Sequence, residues 1–401
     1  MKAILAFLVA VVCCVYGSPV KRDSKTENVD LLMPTVQPKV KDTYLCYGMK
    51  MNETPTYIVG FRPHANKEIA HHMLLYGCKE PGVRDKNAIW NCGEMAHTTS
   101  SYSTAGVCGE GQQIVYAWAM DAPALQLPEG VGFKVGGNTN IDYLVLQVHY
   151  KDVSPFLAGE TDSSGITLVT TDQQMPKRAG VYLLATGGRI PAHSVEYLES
   201  ACPLRTDLTL HPFAFRTHTH TLGKVVSGYR VRDAKWEEIG RKSPQEPQMF
   251  YNATSPGMEI RNNDILAARC TMENNLDRTV YIGATQNDEM CNFYMMYYVN
   301  GDRIADQNSC FSSGAPYYTW ESSPYAGNMN LKEQPQTVSL VPGEKTPKRK
   351  GPVAKLERAE NPERRQQRPR GHAVNRNDFA RLLQALNTAY DSDYKMYDNV
   401  L

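Results

Sequence analysis

The ten cysteines constrain this 401-residue chain more than any other feature. Cys13 and Cys14 lie in an apolar run, residues 3–16, that follows Lys2 and closes on the small residues Gly17 and Ser18. That pattern reads as a secretory signal peptide, residues 1–17, too short and too near the N-terminus for a spanning helix. Eight cysteines remain, an even number in an oxidising compartment, so four disulfides are the default framework. The chain is therefore expected in the secretory pathway, in a granule lumen or secreted. Asn52-Glu53-Thr54 and Asn252-Ala253-Thr254 then become N-glycosylation acceptors at Asn52 and Asn252. No other window approaches the ~20 apolar residues of a transmembrane segment. With 43 Lys+Arg against 42 Asp+Glu, no global field draws nucleic acid. A cytosolic enzyme, an integral membrane protein and a DNA-binding protein are all disfavoured.

Residues 18–40 are polar, carry Lys21-Arg22 and read as a pro-segment or flexible arm. From there to about Trp320 run short apolar or alternating stretches, such as 57–61, 71–77, 114–119, 143–150, 225–231, 265–270 and 292–299, cut by Gly, Pro, Asn and Asp. Their length, β-branched and aromatic content and turn punctuation predict strands, with no long helical periodicity competing. An all-β body of this size exceeds one sandwich, so two are expected, residues 41–175 and 176–320, with the polar stretch 170–178 as boundary. Residues 321–401 are expected to be a disordered basic tail: 345–370 holds ten Lys or Arg against three Glu and almost no large apolar residue. Within it Lys348-Arg349-Lys350 and Arg364-Arg365 are either processing sites or solvated charge. Phe379, Leu382, Leu383, Leu386 and Tyr390 have helical spacing, either a docking amphipathic helix or one that frays alone.

Three constellations carry chemistry. In Arg216-Thr217-His218-Thr219-His220, strand geometry puts Arg216, His218 and His220 on one face, about 6.6–6.8 Å apart in steps of two. Two imidazoles converging on one point is metal-ligand geometry. In Met290-Cys291-Asn292-Phe293-Tyr294, a strand would place Met290, Asn292 and Tyr294 together. Alone, Met290 reads as core filler; opposite two imidazoles, its thioether completes a soft set that suits copper, Cu(I) above all. The third is His71-His72, with His149 in Leu146-Gln147-Val148-His149-Tyr150. Adjacent strand residues face opposite ways, so both histidines reach one metal only if the backbone bends or different ring nitrogens are used. His149 reads either as a third ligand or as an interior histidine bonded to backbone. Gln147 shares its face and is either a relay element for electrons or a polar residue at a sandwich interface.

These blocks, with 73–78, 223–232 and 288–292, resemble the ascorbate-dependent type II copper monooxygenases, nearest to their peptidylglycine alpha-hydroxylating branch. The resemblance spans about Asp42 to Cys310. It implies two antiparallel, jelly-roll-like β-sandwiches facing each other across a cleft, braced by disulfides Cys46–Cys92, Cys78–Cys108, Cys202–Cys310 and Cys270–Cys291. Eight cysteines allow on the order of a hundred connectivities, so only the resemblance selects this one. It further implies one copper on His71, His72 and His149 and a second on His218, His220 and Met290. Ascorbate is then the reductant and molecular oxygen the co-substrate. Arg216, Asn292 and Tyr294 match positions that hold the substrate carboxylate.

The implied reaction is hydroxylation of the alpha carbon of a C-terminal glycine in glycine-extended peptides, the first step of peptide amidation in neuropeptide processing. No second catalytic domain is read in the sequence, so the hydroxyglycine product is expected to pass to a separate lyase; the enzyme is expected to be a monomer. Two rival readings share most of these residues. A dopamine-beta type hydroxylase uses the same ligands but usually carries a further N-terminal domain and lacks the arginine before the histidine pair. A secreted copper carrier that has lost catalysis would not need the carboxylate grip. Two departures stand out. Many members tie the arm to the loop at 162–164 by a further bridge; here the arm has no cysteine and Ser163 occupies the loop position, implying a looser arm. The Ser/Thr-rich segment 97–106 also makes a longer loop than the family usually has.

Overall fold

A computed structural model of the chain describes residues 26–93, 102–137, 139–283, 285 and 287–344. The signal peptide, the basic run from 345 and the helical pattern at 379–390 lie outside the described residues. Within them the chain is built of strands, with only short helical turns such as Ser154–Leu157 and Ala326–Met329. Among the described residues no helix is long and apolar enough to cross a membrane.

Three principal sheets make two sandwiches. A six-stranded sheet runs Ser103–Thr104, Ile89–Asn91, Thr43–Lys50, Tyr143–Tyr150, His72–Cys78, Gln113–Ala119. It packs on the first half of a ten-stranded sheet whose path is Glu27–Leu32, Gly165–Thr171, Thr56–His64, Val131–Val135, Lys177–Thr186, Asn292–Asn300, His211–His218, Tyr251–Asn252. A four-stranded sheet, Ser194–Pro203, Ile265–Asn274, Gly223–Arg232, Lys235–Lys242, packs on the second half. The halves are continuous through one short parallel ladder, Val131 opposite Lys177 and Gly132 opposite Arg178. Asn292–Asn300 is covered on both faces in mid-sheet, which is why it reads Phe-Tyr-Met-Met-Tyr-Tyr-Val with hardly a break. Two glycines let the second sandwich close: an added Cβ on Gly228 would stand 2.3 Å from the Phe293 ring, and one on Gly240 2.2 Å from that of Phe215.

Two boundaries differ from expectation. The arm at 18–40 is not flexible throughout: Glu27–Leu32 pairs in full register with Gly165–Thr171, and Val36 bridges Asp162. Leu31, Met33 and Val36 are buried, so apolar burial and backbone pairing hold the arm where the missing bridge would have done so. Ser164 O accepts Met33 N–H at 2.9 Å, beside the loop position that has lost its cysteine. Nor does the disordered tail begin at 321. Residues 318–338 cross the outer face of the four-stranded sheet, burying Trp320, Met329 and Val338 against Tyr229, Val231, Ile265 and Ala267. In the segment expected to form a long loop, Ser103–Thr104 pairs with Ile89–Asn91 in the six-stranded sheet.

The four disulfides are Cys46–Cys92, Cys78–Cys108, Cys202–Cys310 and Cys270–Cys291, the pairing the resemblance implied. Cys202–Cys310 spans 108 residues, and in the chain-entropy view a loop of that size is worth about 4.7 kcal/mol.

The strap yields a test. Trp320 donates its indole N–H to Ser200 O at 2.9 Å and its backbone N–H to Glu199 at 2.7 Å, under the Arg269 guanidinium 4.5 Å from its ring. Trp320→Ala should cost about 3–5 kcal/mol. Denaturant unfolding measures this, and an unmoved midpoint would show that the strap contributes nothing to the fold.

Candidate metal centre

The first histidine set is assembled by strand register. His149 on Tyr143–Tyr150 stands opposite His72 on one side and Tyr44 on the other. His71 sits in a bend before the strand His72–Cys78, its backbone N–H bonded to His149 O at 2.9 Å. The bend is the local departure the dyad required, and it lets both imidazoles turn inward with the same ring nitrogen. His71 Nδ1 lies 3.3 Å from His149 Nδ1 and 3.3 Å from His72 Nδ1, and the ligand atoms of all three lie within 4.8 Å of one another.

Asp42 selects the tautomer of His149. Its carboxylate can only accept, so His149 Nε2 donates to Oδ1 at 3.1 Å and Nδ1 keeps its lone pair for the centre. Tyr44 stacks flat on the same ring, centroids 4.0 Å apart. Burial, with the neighbouring His149, lowers His71 to about 3. Burial and two adjacent imidazoles hold His72 well below the ordinary value, and burial lowers His149 against the opposing pull of Asp42. Three neutral imidazoles with converging lone pairs form a donor set that a borderline or soft cation satisfies.

The second set lies at the end of His211–His218. Pairing with Asn292–Asn300 puts Arg216 opposite Tyr294 and His218 opposite Asn292, so these four share one face. His220 lies two residues beyond the strand, in irregular backbone, yet its ring centroid is 5.6 Å from that of His218. His220 Nδ1 donates to Asp288 O at 3.0 Å, leaving Nε2 buried and without a partner among the described residues. His218 Nδ1 meets Gln248 Oε1 at 2.6 Å, so its Nε2 is likewise spare. Glu289, fully buried, accepts N–H bonds from His220 at 2.8 Å, Met290 at 3.0 Å and Leu222 at 2.6 Å. That one carboxylate clips the backbone of His220 to that of Met290. Burial raises its pKa, and the three N–H groups oppose the shift.

Arg216 is 2% exposed. Its Nε donates to Gln248 O at 2.8 Å, its guanidinium lies 5.1 Å from the Tyr294 ring centroid, and no carboxylate among the described residues pairs with it. A guanidinium buried without a counter-charge keeps N–H groups that an anion could satisfy. Asn292 Nδ2 is 3.4 Å from Tyr294 Oη and 3.9 Å from Met290 Sδ, placing all three around the same spot.

The two histidine sets meet. The His72 and His218 centroids are 5.7 Å apart and those of His71 and His220 6.3 Å, so here the faces touch where a cleft was expected. The reason lies nearby: Tyr294 and Met296 of the second half share the hydrophobic core of the first, and Phe250 stacks beside Tyr116. Gln147 is buried with its Nε2 3.5 Å from Cys92 Sγ. Asn52 and Asn252 are exposed. Asp42, Tyr44 and Gln248 had no sequence signal, being remote from the ligands they touch. Glu289, adjoining Met290, could have been flagged as an acid next to a thioether.

Comparison with known proteins gives two family matches: copper type II ascorbate-dependent monooxygenase, N-terminal domain, over residues 29–156, and the corresponding C-terminal domain over 177–323. Peptidyl-glycine alpha-amidating monooxygenase B of Xenopus laevis is 42% identical over 320 residues, 79% of this chain and 35% of that protein. The Mus musculus peptidyl-glycine alpha-amidating monooxygenase is 42% identical over 299 residues, 73% of this chain and 29% of that one. Homo sapiens dopamine beta-hydroxylase is 28% identical over 296 residues, 67% and 46% of the two chains. The chain thus spans about a third of the length of the amidating relatives it matches.

The lowered imidazole pKa values give a pH dependence. Below the ordinary value of 6.5 the unfolded chain takes up protons at His71 and His72 that the folded chain refuses. Stability of the metal-free protein should therefore be full above about pH 6.5 and decline as pH falls toward about 3. Thermal unfolding in chelator across this range should show the decline, and His72→Asn should flatten it; parallel curves for both proteins would refute the assignment.

Proposed function

The chain belongs to the copper type II ascorbate-dependent monooxygenase family, and from that premise we propose that it hydroxylates the alpha carbon of the C-terminal glycine of peptides. One copper would be held by Nδ1 of His71, His72 and His149, the other by Nε2 of His218 and His220 with the sulfur of Met290. The orphaned Nε2 of His220 and the tautomers that Asp42 enforces on His149 and Asp288 O on His220 support that fit. When bound, the metals supply one-electron redox chemistry, with ascorbate as reductant and dioxygen as co-substrate.

Arg216 carries the reading. Buried, cationic, unpaired and on the face of His218, it would grip a terminal carboxylate through its free N–H groups, with Asn292 and Tyr294 as neutral donors beside it. A peptide held only by its last carboxylate presents the glycine alpha carbon next to His218, and such positioning is a large part of rate enhancement. The rest of the peptide is ungripped, which suits substrates of varied sequence. An amine substrate without a carboxylate would leave Arg216 unsatisfied, which weighs against a dopamine-beta type activity. Loss of catalysis with retention of copper, a carrier, would have no use for that arginine.

The product of the two matched monooxygenase domains is the alpha-hydroxyglycine peptide, which a lyase activity would then split into amide and glyoxylate. Four disulfides support a secretory-pathway compartment, a granule lumen or the outside of the cell. Both halves of the site lie in one chain, which supports a monomer as the working unit.

Arg216→Ala should lower kcat/KM for a glycine-extended peptide by about 100-fold, the equivalent of ~3 kcal/mol for a charge-assisted contact. Turnover of a catecholamine precursor but not of the peptide would overturn the reading. Mass analysis of the product should show hydroxyglycine, and amide plus glyoxylate from this chain alone would contradict the separate lyase. Met290→Ala should retain one tightly bound copper, weaken the other and abolish turnover; unchanged activity would remove Met290 from the site.

A further inference from the structure

Gln248 lies on the segment between Lys235–Lys242 and Tyr251–Asn252, 30 residues from His218 in sequence, and is 6% exposed. Its amide is oriented without ambiguity. Nε2 donates to Thr219 O at 3.1 Å and to Pro244 O at 2.9 Å, and carbonyls only accept, so the nitrogen end must face them. The oxygen end therefore faces His218 and Arg216. At that oxygen His218 Nδ1 donates at 2.6 Å and Arg216 Nη2 at 3.3 Å, while Gln248 O takes Arg216 Nε at 2.8 Å. Every polar group of this residue except its own N–H is thus committed to the strand end that carries the site or to the turn beside it.

We propose that Gln248 is a positioning residue that couples the carboxylate grip to the second metal site, holding Arg216 in place and His218 in the tautomer that frees Nε2. The inference rests on the function proposed above for Arg216 and His218. Its physical content is that one side-chain oxygen serves two roles: losing it leaves the His218 Nδ1–H without its acceptor, releasing the preference between ring nitrogens, and frees half of the guanidinium to turn. Substrate and metal affinities then move together, though the residue would touch neither ligand. A residue that only fills space would shift overall stability and leave both affinities alone.

Two near-isosteric variants separate the effects. Gln248→Met removes the acceptor and keeps the volume. Gln248→Glu keeps an acceptor for His218 and adds a charge that pairs with Arg216 in competition with a substrate carboxylate. The measurements are Cu(I) affinity of each site by competition with a chromophoric chelator, and equilibrium binding of a glycine-extended peptide against the same peptide ending in an amide.

Gln248→Met should weaken one of the two coppers by about 10- to 100-fold, leaving the His71, His72, His149 copper unchanged, and should weaken the acid peptide. Gln248→Glu should keep both coppers within about threefold yet lose about 10-fold in acid-peptide affinity, narrowing discrimination against the amide. Copper and acid-peptide affinities of both folded variants equal to wild type would overturn the proposal, as would equal weakening of both coppers. Should Gln248→Met fail to fold, the contrast in Gln248→Glu between retained copper and lost peptide decides alone. Wild-type protein that binds both coppers but shows no preference for the acid peptide would sink the proposed substrate instead, while the copper arm still tests Gln248.

Discussion

The antiparallel register between His211–His218 and Asn292–Asn300 is the constraint on which the rest of the site depends. It sets Arg216 against Tyr294 and His218 against Asn292, so cation, imidazole, amide and phenol share one face. A slip of one residue would turn that set to the opposite face and bring Phe293 and Phe215 out of the core. The register is held from several sides. Phe215 and Phe293 stack 5.8 Å apart in the pockets left by Gly240 and Gly228, and Cys291 is tied to Cys270 just before the strand begins. Met290 precedes the tied cysteine and so inherits its position.

Around that frame, a few acceptors decide what the histidines offer. Asp42 takes the Nε2 proton of His149, Asp288 O the Nδ1 proton of His220, and Gln248 the Nδ1 proton of His218. Each leaves the opposite nitrogen with a free lone pair, and in each pair the partner's chemistry makes the assignment. The first set presents Nδ1 and the second presents Nε2, so the two sets differ in the nitrogen they offer. Burial keeps the imidazoles neutral, which a metal ligand requires. Glu289 anchors the backbone from which His220 and Met290 project.

The contact between the two histidine sets follows from how the sandwiches are joined. A single ten-stranded sheet passes through both, and the first core extends onto Tyr294 and Met296 of the second half. With the sheets fused at one edge and sharing apolar residues, His72 and His218 meet at 5.7 Å. The same packing strips water from Arg216, and burial lowers its pKa in the absence of an anion. The burial of Arg216 and the closeness of the two sets thus share one cause.

Much was legible in the chain itself. Alternating apolar runs and even cysteines pointed to disulfide-braced β-sandwiches, since strand period and oxidative pairing are local or compositional properties. The spacing in Arg216-Thr217-His218 placed cation and ligand on one face because side chains alternate along any strand. What the chain could not show were the partners brought in over long separations. Asp42 reaches His149 across 107 residues and Gln248 reaches Arg216 across 32, and no local pattern encodes a contact made by folding. The arm at 27–36 and the strap at 318–338 read as polar or irregular because each buries only a few apolar side chains, too few to set a period. Residue types and their local spacing determined which chemistry was on offer; the sheet pairings decided which groups meet, which nitrogen of each histidine is free, and that Arg216 is buried without a counter-charge.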